Sequence, residues 1–221
     1  MEENVEKVLD LKIERTVKAL ARNNMQAFVA EDSAEAVKIV ASLMNKGDKI
    51  SCGGSVTLKE SGVAELMRNG DYNFLDRSKA KTQDEVWEVY RSVFSADVFL
   101  TSSNAVTENG ELYNVDGTCN RIAAISFGPK KVIFVVGVNK LVKTLEDAVV
   151  RVKTTAAPPN TIRLGKNTPC AKTGECVSLS TGGGMCSGCS GDRICCNYLV
   201  SAYQRDPDRV KVVIVKENLG Y

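Results

Sequence analysis

Six of the eight cysteines in this 221-residue chain fall between Cys170 and Cys196, in the run PCAKTGECVSLSTGGGMCSGCSGDRICC. Thiols gathered this densely serve as disulfides, as ligands of a metal or metal–sulfur centre, or as a redox relay. Five residues separate Cys170 from Cys176, nine separate Cys176 from Cys186, two separate Cys186 from Cys189, and five separate Cys189 from the adjacent pair Cys195-Cys196. A structural zinc site favours two CxxC knuckles, and only Cys186-Ser-Gly-Cys189 has that form. The uneven remainder suits the irregular wrapping of an iron–sulfur cluster, [4Fe-4S] by the size of the thiol set, with zinc and a thiol relay as the alternatives. Glycines Gly182, Gly183, Gly184, Gly188 and Gly191 would bring backbone N–H groups close to the sulfurs. A cuboidal cluster uses four thiols, so two are spare; Cys196 is one, because adjacent residues rarely both reach one cluster. The candidate ligands are therefore Cys170, Cys176, Cys186, Cys189 and Cys195.

The chain contains no histidine, which restricts metal ligands to thiolate and oxygen and any general base to a carboxylate, Lys, Tyr or Cys. Met1 is followed by the acidic, amphipathic EENVEKVLD and not by a basic residue and an apolar run, and the longest apolar stretch, Val132 to Val138, is too short to span a bilayer. A cytoplasmic protein without a membrane span is expected, in a compartment where thiols stay reduced and disulfides are disfavoured. Net charge is +2 with both signs interspersed, so pairs such as Lys130-Lys131 read as solvated surface and no nucleic-acid partner is expected.

A second group of polar residues, Asn104, Thr107, Glu108, Asn109, Asp116, Asn120 and Arg121, is compressed into eighteen positions. Turn chemistry explains part of it: Asn109-Gly110 is a hairpin signal, and Asp116-Gly117-Thr118 reads as a helix entry. It leaves Glu108, just before the turn, and Arg121, early in an apolar helix, as groups suited to binding or attacking a carboxylate or thioester. The loop Cys52-Gly53-Gly54-Ser55 is either a tight strand-to-helix turn or a cradle of backbone N–H groups for an anion. Cys52 and Cys119 read as small buried residues, although both stand in these loops. Lys140, after an apolar strand, is a further loop candidate or an ordinary exposed lysine.

The elements that must position these groups alternate. Helical spacing of Val5, Val8, Leu9, Ile13, Val17 and Leu20 predicts a first helix ending near Asn23-Asn24, followed by the short apolar run MQAFVA and a helix opening at Asp32 with Glu35 as a capping-box partner. Strands are expected at DKISC, YNFLD, DVFLTSS, KKVIFVVGV and VKVVIVKE. Helices are expected at Thr57–Asn69, at Thr82–Ala96 with Val86, Trp87, Tyr90, Val93 and Phe94 as its buried stripe, at Cys119–Phe127 and at Thr144–Val152. Near Pro158-Pro159 the regular pattern ends. This predicts an α/β protein with a doubly wound, largely parallel sheet, ligands beyond the carboxyl ends of its strands, a hairpin inserted about Asn109-Gly110, and a C-terminal cysteine-rich loop. One domain over residues 1–221 is expected, with residues 166–197 as a cluster-binding insertion before the last strand.

The blocks GGSVTLKESG, SNAVTENGELYNVDGTCNRIAA, FGPKKVIFVVGVNKLV and PCAKTGEC through SGDRIC together resemble the LUD-domain family, the lactate-utilisation protein group, over nearly the whole chain. The resemblance implies the Rossmann-like fold of the sugar-phosphate isomerase and CoA-transferase-like superfamily. It also implies association with oxidation of lactate or a related small hydroxy acid. On the residues it implies metal ligation by Cys170, Cys189 and Cys195, with Cys176 and Cys186 competing for one further position. Thr107-Glu108-Asn109-Gly110 is similar to the Ser-Glu-Asn-Gly motif of class I CoA-transferases, whose glutamate attacks the acyl thioester. The chain departs from the family at Cys119, where the usual Gly-Thr-Gly-Asn-Arg reads Gly-Thr-Cys-Asn-Arg, and in a longer segment VSLSTGGGM between the knuckles.

The leading expectation is an iron–sulfur protein, an oxidoreductase component, in which Glu108, Asn120 and Arg121 are the catalytic candidates. Gly53, Gly54, Ser55, Asn104, Thr107, Asp116 and Lys140 would then bind a small organic acid or its activated ester. The alternatives are an electron-transfer or assembly subunit with no substrate of its own, working with electron-transfer partners, and a CoA-transferase-like enzyme using Glu108 with a zinc-stabilised loop. A homo-oligomer is compatible with either.

Overall fold

The fold is that of a computed structural model describing residues 2–221. Among them the chain forms the strands β1 (Gln26–Ala30), β2 (Lys49–Cys52), β3 (Asn73–Phe74), β4 (Val98–Thr101), β5 (Ala105–Thr107), β6 (Leu112–Asp116), β7 (Lys131–Gly137), β8 (Leu141–Val142), β9 (Asn197–Ser201) and β10 (Val210–Val215). Six of these make one sheet in the order β1-β10-β7-β4-β2-β3, with every pairing parallel. The sheet is buried on both faces, which is why its strands read as continuous apolar runs. Alternate residues divide cleanly: Phe99, Val132, Phe134, Val136, Val212 and Ile214 pack with Ile13 and Leu20 of the first helix and Ala124 and Ile125 of the helix Asn120–Ser126. Val98, Leu100, Ile133, Val135, Val213 and Val215 pack on the other side with Ala36, Val40, Leu58, Val63 and Met67. Helices thus cover both faces, the doubly wound arrangement expected from the alternation.

The winding reverses between two neighbouring strands. After β2 the chain steps outward to β3, and from β4 it returns through β7 and β10 toward β1. The carboxyl ends of β2 and β4 therefore diverge into loops on opposite sides, and a crevice opens between them.

A smaller sheet, β8-β5-β6-β9, stands beside this crevice. The expected hairpin is its centre: β5 and β6 pair antiparallel, Gly110 takes φ +83° at the turn, and β9 adds along β6. Neither β8 nor β9 was anticipated. Both are short and take their places from pairing with β5 and β6, not from an apolar run of their own.

Three local expectations need correction. The helix foreseen over Thr57–Asn69 is two, Val56–Glu60 and Val63–Asn69, divided at Gly62 with φ +76°. In the region Thr82–Ala96 a helix Gln83–Ser92 is followed by a 3-10 turn, and Trp87 and Phe94 are 40% and 41% exposed; of the five stripe residues only Val93 is buried. Trp87 instead packs edge-on against Tyr90, ring centroids 5.7 Å apart, on the outside of the crevice wall. The helix Leu145–Arg151 does not end near the prolines: it passes through a π-helical turn, Val152–Ala156, into the helix Ala157–Arg163. Pro158 and Pro159 follow the π turn directly and lack the N–H groups that would donate back to its carbonyls.

The second helix is capped as read: Asp32 Oδ1 accepts from the Glu35 N–H at 2.7 Å, and the Glu35 carboxylate accepts from the Glu31 N–H, one residue before the cap. The entry to the helix Asn120–Ser126 is less comfortable. Cys119 precedes it with φ +70°, a conformation that crowds a β-carbon and suits glycine. Cys119→Gly is expected to stabilise the fold by up to about 1 kcal/mol, the relief of left-handed strain less the added chain entropy of glycine. A higher urea midpoint under reducing conditions is the expected reading, and a lower one would show that the thiol contributes more by packing than the strain costs.

Candidate functional site

The crevice at the winding reversal is a cavity of about 350 Å³. Its walls come from the carboxyl-end loops in turn: Gly54 to Thr57 after β2, Arg77 after β3, Ser102 to Asn104 after β4, Lys140 after β7 and Tyr221 beyond β10. Asp116 to Thr118, Asn120 and Arg121 close it from the hairpin side, and Asn160, Arg163 and Lys166 from the helix Ala157–Arg163 and the loop after it.

Arg121 holds this wall together. Its five N–H groups are all used: Nε donates to Asp116 Oδ1 at 2.9 Å, Nη1 to the Ser102 carbonyl at 3.0 Å and Asn114 Oδ1 at 2.6 Å, and Nη2 to Asn104 Oδ1 at 2.8 Å and the Val115 carbonyl at 3.1 Å. Asp116 is equally engaged, its Oδ2 accepting from the Arg121 and Ile122 N–H groups at 3.0 Å each. A saturated guanidinium cannot also clamp a substrate carboxylate, so Arg121 and Asp116 shape the cavity. Gly53 is absent from the lining because it lies beneath Arg121, where a β-carbon would come within 2.9 Å of Arg121 Cδ.

The groups left for a ligand are different ones. Arg77 donates to the Tyr90 hydroxyl at 2.9 Å, and Arg163 only to the neighbouring Asn160 side chain. Lys166 shares a 3.3 Å ion pair with Asp192. With Asp116 neutralised by Arg121, the cavity is lined by cations and invites an anion. Asn120 also lines it, at the start of its helix. Ser55 lines it while capping the short helix that follows, accepting from the Leu58 N–H at 3.2 Å.

Lys140 is not the exposed loop residue its position allowed. It is 4% exposed, and its Nζ donates to Thr57 Oγ1 at 2.6 Å and Ser102 Oγ at 3.0 Å. Burial, and then the nearby charges of Arg151 and Arg121, bring its pKa down to about 7, with Glu60 opposing weakly. An amine that titrates near physiological pH on a cavity wall is a chemically distinctive group.

Two sequence candidates lie elsewhere. Glu108 pairs with Arg15 of the first helix at 2.8 Å and is not on the cavity wall; Thr107 is buried within the hairpin, bonded to Glu111. The hairpin tip is fastened to that helix because Gly110 packs on the Ala19 backbone and Asn23 Nδ2 donates to the Asn109 and Gly110 carbonyls. Sequence proximity put Glu108 beside Asn104 and Arg121, whereas the strand direction carries it away. Arg77 was missed, although its place just past the YNFLD strand marked it as a carboxyl-end residue. Arg163 and Lys166 were hidden by the early end assigned to their helix.

The cysteine segment runs between the helix Ala157–Arg163 and β9, and Cys195 with Ile194 forms part of the cavity wall. Cys170 is buried, its Sγ 3.4 Å from Thr168 Oγ1. Cys195 is pushed up to about 11 by burial and then by the thiolate charges of Cys176, Cys170 and Cys189; burial, Cys170 and Cys176 likewise raise Cys189. These four thiols therefore share one neighbourhood. Cys186 is exposed; it acts with Cys195 on Tyr113 and Tyr198, and its carbonyl is held by Arg193 Nη2 at 2.7 Å. The nine-residue excursion between Cys176 and Cys186 folds over buried Lys153, whose Nζ donates to Ser178 Oγ and the Gly184 carbonyl at 2.6 Å each and the Ser187 carbonyl at 3.1 Å. Among the described residues, no three Cys, Asp or Glu side chains are gathered tightly enough to hold a metal ion. The donor chemistry of these thiols suits a thiolate-bound centre, and their spacing is wider than such a centre needs.

No helix among the described residues is long and apolar enough to cross a membrane. No curated protein matches the chain. Among solved structures, a DUF162 family protein from Deinococcus radiodurans is similar over 94% of this chain and 98% of its own, with a TM-score of 0.53 at 14% identity, a likeness of fold. The delta and beta subunits of eIF2B from Chaetomium thermophilum each align with 52% of this chain and 49% and 44% of theirs, at 18% and 15% identity, with TM-scores of 0.36. The model of the LUD domain matches residues 13–215, from the first helix through the last strand of the parallel sheet, and the chain belongs to the LUD domain family.

Proposed function

We propose that this protein acts in the utilisation of lactate or a related small hydroxy acid, binding the acid in the cavity at the winding reversal and holding an iron–sulfur cluster, [4Fe-4S], on Cys170, Cys176, Cys189 and Cys195 beside it. The observation that carries the reading is the position of Cys195, which lies on the wall of the cationic cavity and is raised by burial and by Cys176, Cys170 and Cys189 nearby. Such a cluster, when bound, would accept electrons one at a time. The chain's own residues do the rest. Arg77 and Arg163 attract and orient the carboxylate, Arg121 and Asp116 keep the wall rigid, and Lys140 can hold or release a proton near pH 7. The CoA-transferase-like alternative has less support, because the glutamate it needs is paired with Arg15 away from the cavity.

Anaerobic purification with iron and sulfide analysis tests the cluster. A brown protein is expected, with Cys186→Ser keeping its iron and Cys176→Ser losing most of it; a colourless, iron-free wild type prepared in this way would end the cluster reading.

Binding is tested separately by the thermal shift that lactate or pyruvate produces, since a ligand of the native state raises the melting temperature. Arg163→Glu is expected to weaken binding by about 10-fold or more, the loss of one charge-assisted contact of about 1.5–3 kcal/mol. An unchanged shift in Arg163→Glu and in Arg77→Glu alike would remove the cavity as the acid's site.

A further inference from the structure

The described residues include three buried lysines, and two are accounted for. Lys153 gives its N–H groups to three oxygens of the cysteine segment, and Lys211 pairs with Asp208. Lys140 differs from both: its recorded partners are two neutral hydroxyls, with no carboxylate and no carbonyl oxygen. Each hydroxyl already directs its own proton elsewhere, Thr57 to the Leu219 carbonyl at 3.1 Å and Ser102 to the Ser103 carbonyl at 3.4 Å, so each accepts from Nζ. An unprotonated amine has two N–H groups and one lone pair. When Lys140 is unprotonated, these two hydroxyls take both N–H groups and leave the lone pair without a partner, on a side chain that lines the cavity. Gly220 keeps the space open, since a β-carbon there would meet Thr57 Oγ1 at 2.6 Å.

A lysine that is desolvated beside other cations and has its lone pair free is the arrangement by which amines become nucleophiles toward carbonyl carbon. Resting on the reading that the cavity takes a small organic acid, we propose that Lys140 forms an imine with the keto carbon of a small 2-oxo acid, the oxidised counterpart of the hydroxy acid. The Nζ lone pair bonds to the keto carbon while the C=O π pair moves to oxygen, which takes up a proton as Nζ releases one. The carbinolamine then loses its hydroxyl as water and its N–H proton to solvent, with Thr57 and Ser102 placed to pass protons. Amine and ketone become imine and water with no change of oxidation state, and hydrolysis returns both. The carboxylate of the same molecule would face Arg77 and Arg163, which also favours 2-oxo acids over simple ketones.

The groups that set the proton on Lys140 are Arg151 and Arg121, which drive it off, Glu60, which retains it, and the neutral hydroxyls of Thr57, Ser102 and Tyr221 around the same cavity. Adduct formation is therefore expected to rise as pH passes through about 7, and not near 10 as for a surface lysine.

The test is reductive trapping of the intact protein with pyruvate and cyanoborohydride, followed by peptide mapping, alongside calorimetry of pyruvate and lactate without reductant. One saturable adduct on the Lys140 peptide, absent with lactate and absent from Lys140→Arg, is the expected result. The wild-type map alone carries the decision if that variant does not fold. Saturable pyruvate binding with no adduct, or with adducts spread over surface lysines, would overturn the imine and leave the cavity reading standing. Failure of both acids to bind would overturn both.

Discussion

The structure around the cavity depends on one guanidinium. Arg121 stands where the parallel sheet, the hairpin sheet and the helix Asn120–Ser126 meet, and its five N–H groups reach carbonyl and side-chain oxygens of the loop after β4 and of β6. Because buried charge is tolerated only when it is paired and fully hydrogen-bonded, the position of each acceptor is constrained by all the others. The same charge acts on Lys140 from a distance, helping to keep the amine neutral. A residue that looks like a substrate clamp in the sequence is thus the reason that the other cavity residues have fixed places.

Most of the fold was legible because its physical cause is periodic. Strands buried on both faces, such as KVIFVVG and VKVVIV, announce themselves as apolar runs, and the helices between them show one apolar face. What could not be read were features that arise from partners distant in sequence. Strands β8 and β9 exist through pairing, and Trp87 and Phe94 have helical spacing but no core to face. The site followed the same division. Carboxyl-end position correctly marked Gly54, Ser55, Asn104, Asn120 and Lys140 as neighbours of one cavity. Nearness in sequence misplaced Glu108, because a hairpin sends its tip and its base to different parts of the molecule. The burial of Lys140 was out of reach, since it depends on Thr57 and Ser102 arriving from two other strands' loops.

The rivalry between Cys176 and Cys186 also turns on a long-range contact. Spacing alone treats both as candidates, and the extra residues between them make either reachable. Lys153 gathers that excursion under its ammonium and leaves Cys186 exposed, with its backbone pinned by Arg193. The insertion thus folds back on Lys153, which holds Ser178, two residues past Cys176, and Ser187, beside Cys186, at one point.

The π-helical turn Val152–Ala156 has a geometric meaning of its own. A π turn carries one residue more than an α turn over the same span, and such bulges are stable mainly where the surroundings require that residue. Lys153 lies inside it, and Arg163 and the cysteine segment lie beyond it. Were the turn to relax to α geometry with all of its residues kept, the extra residue would be taken up along the helix, and every side chain downstream would rotate by about 100° about the axis and shift by about 1.5 Å. The cation facing the cavity and the whole thiol segment would turn away together. Helical phase is thus the property by which one extra residue keeps the cavity and the cysteines on the same side of the molecule.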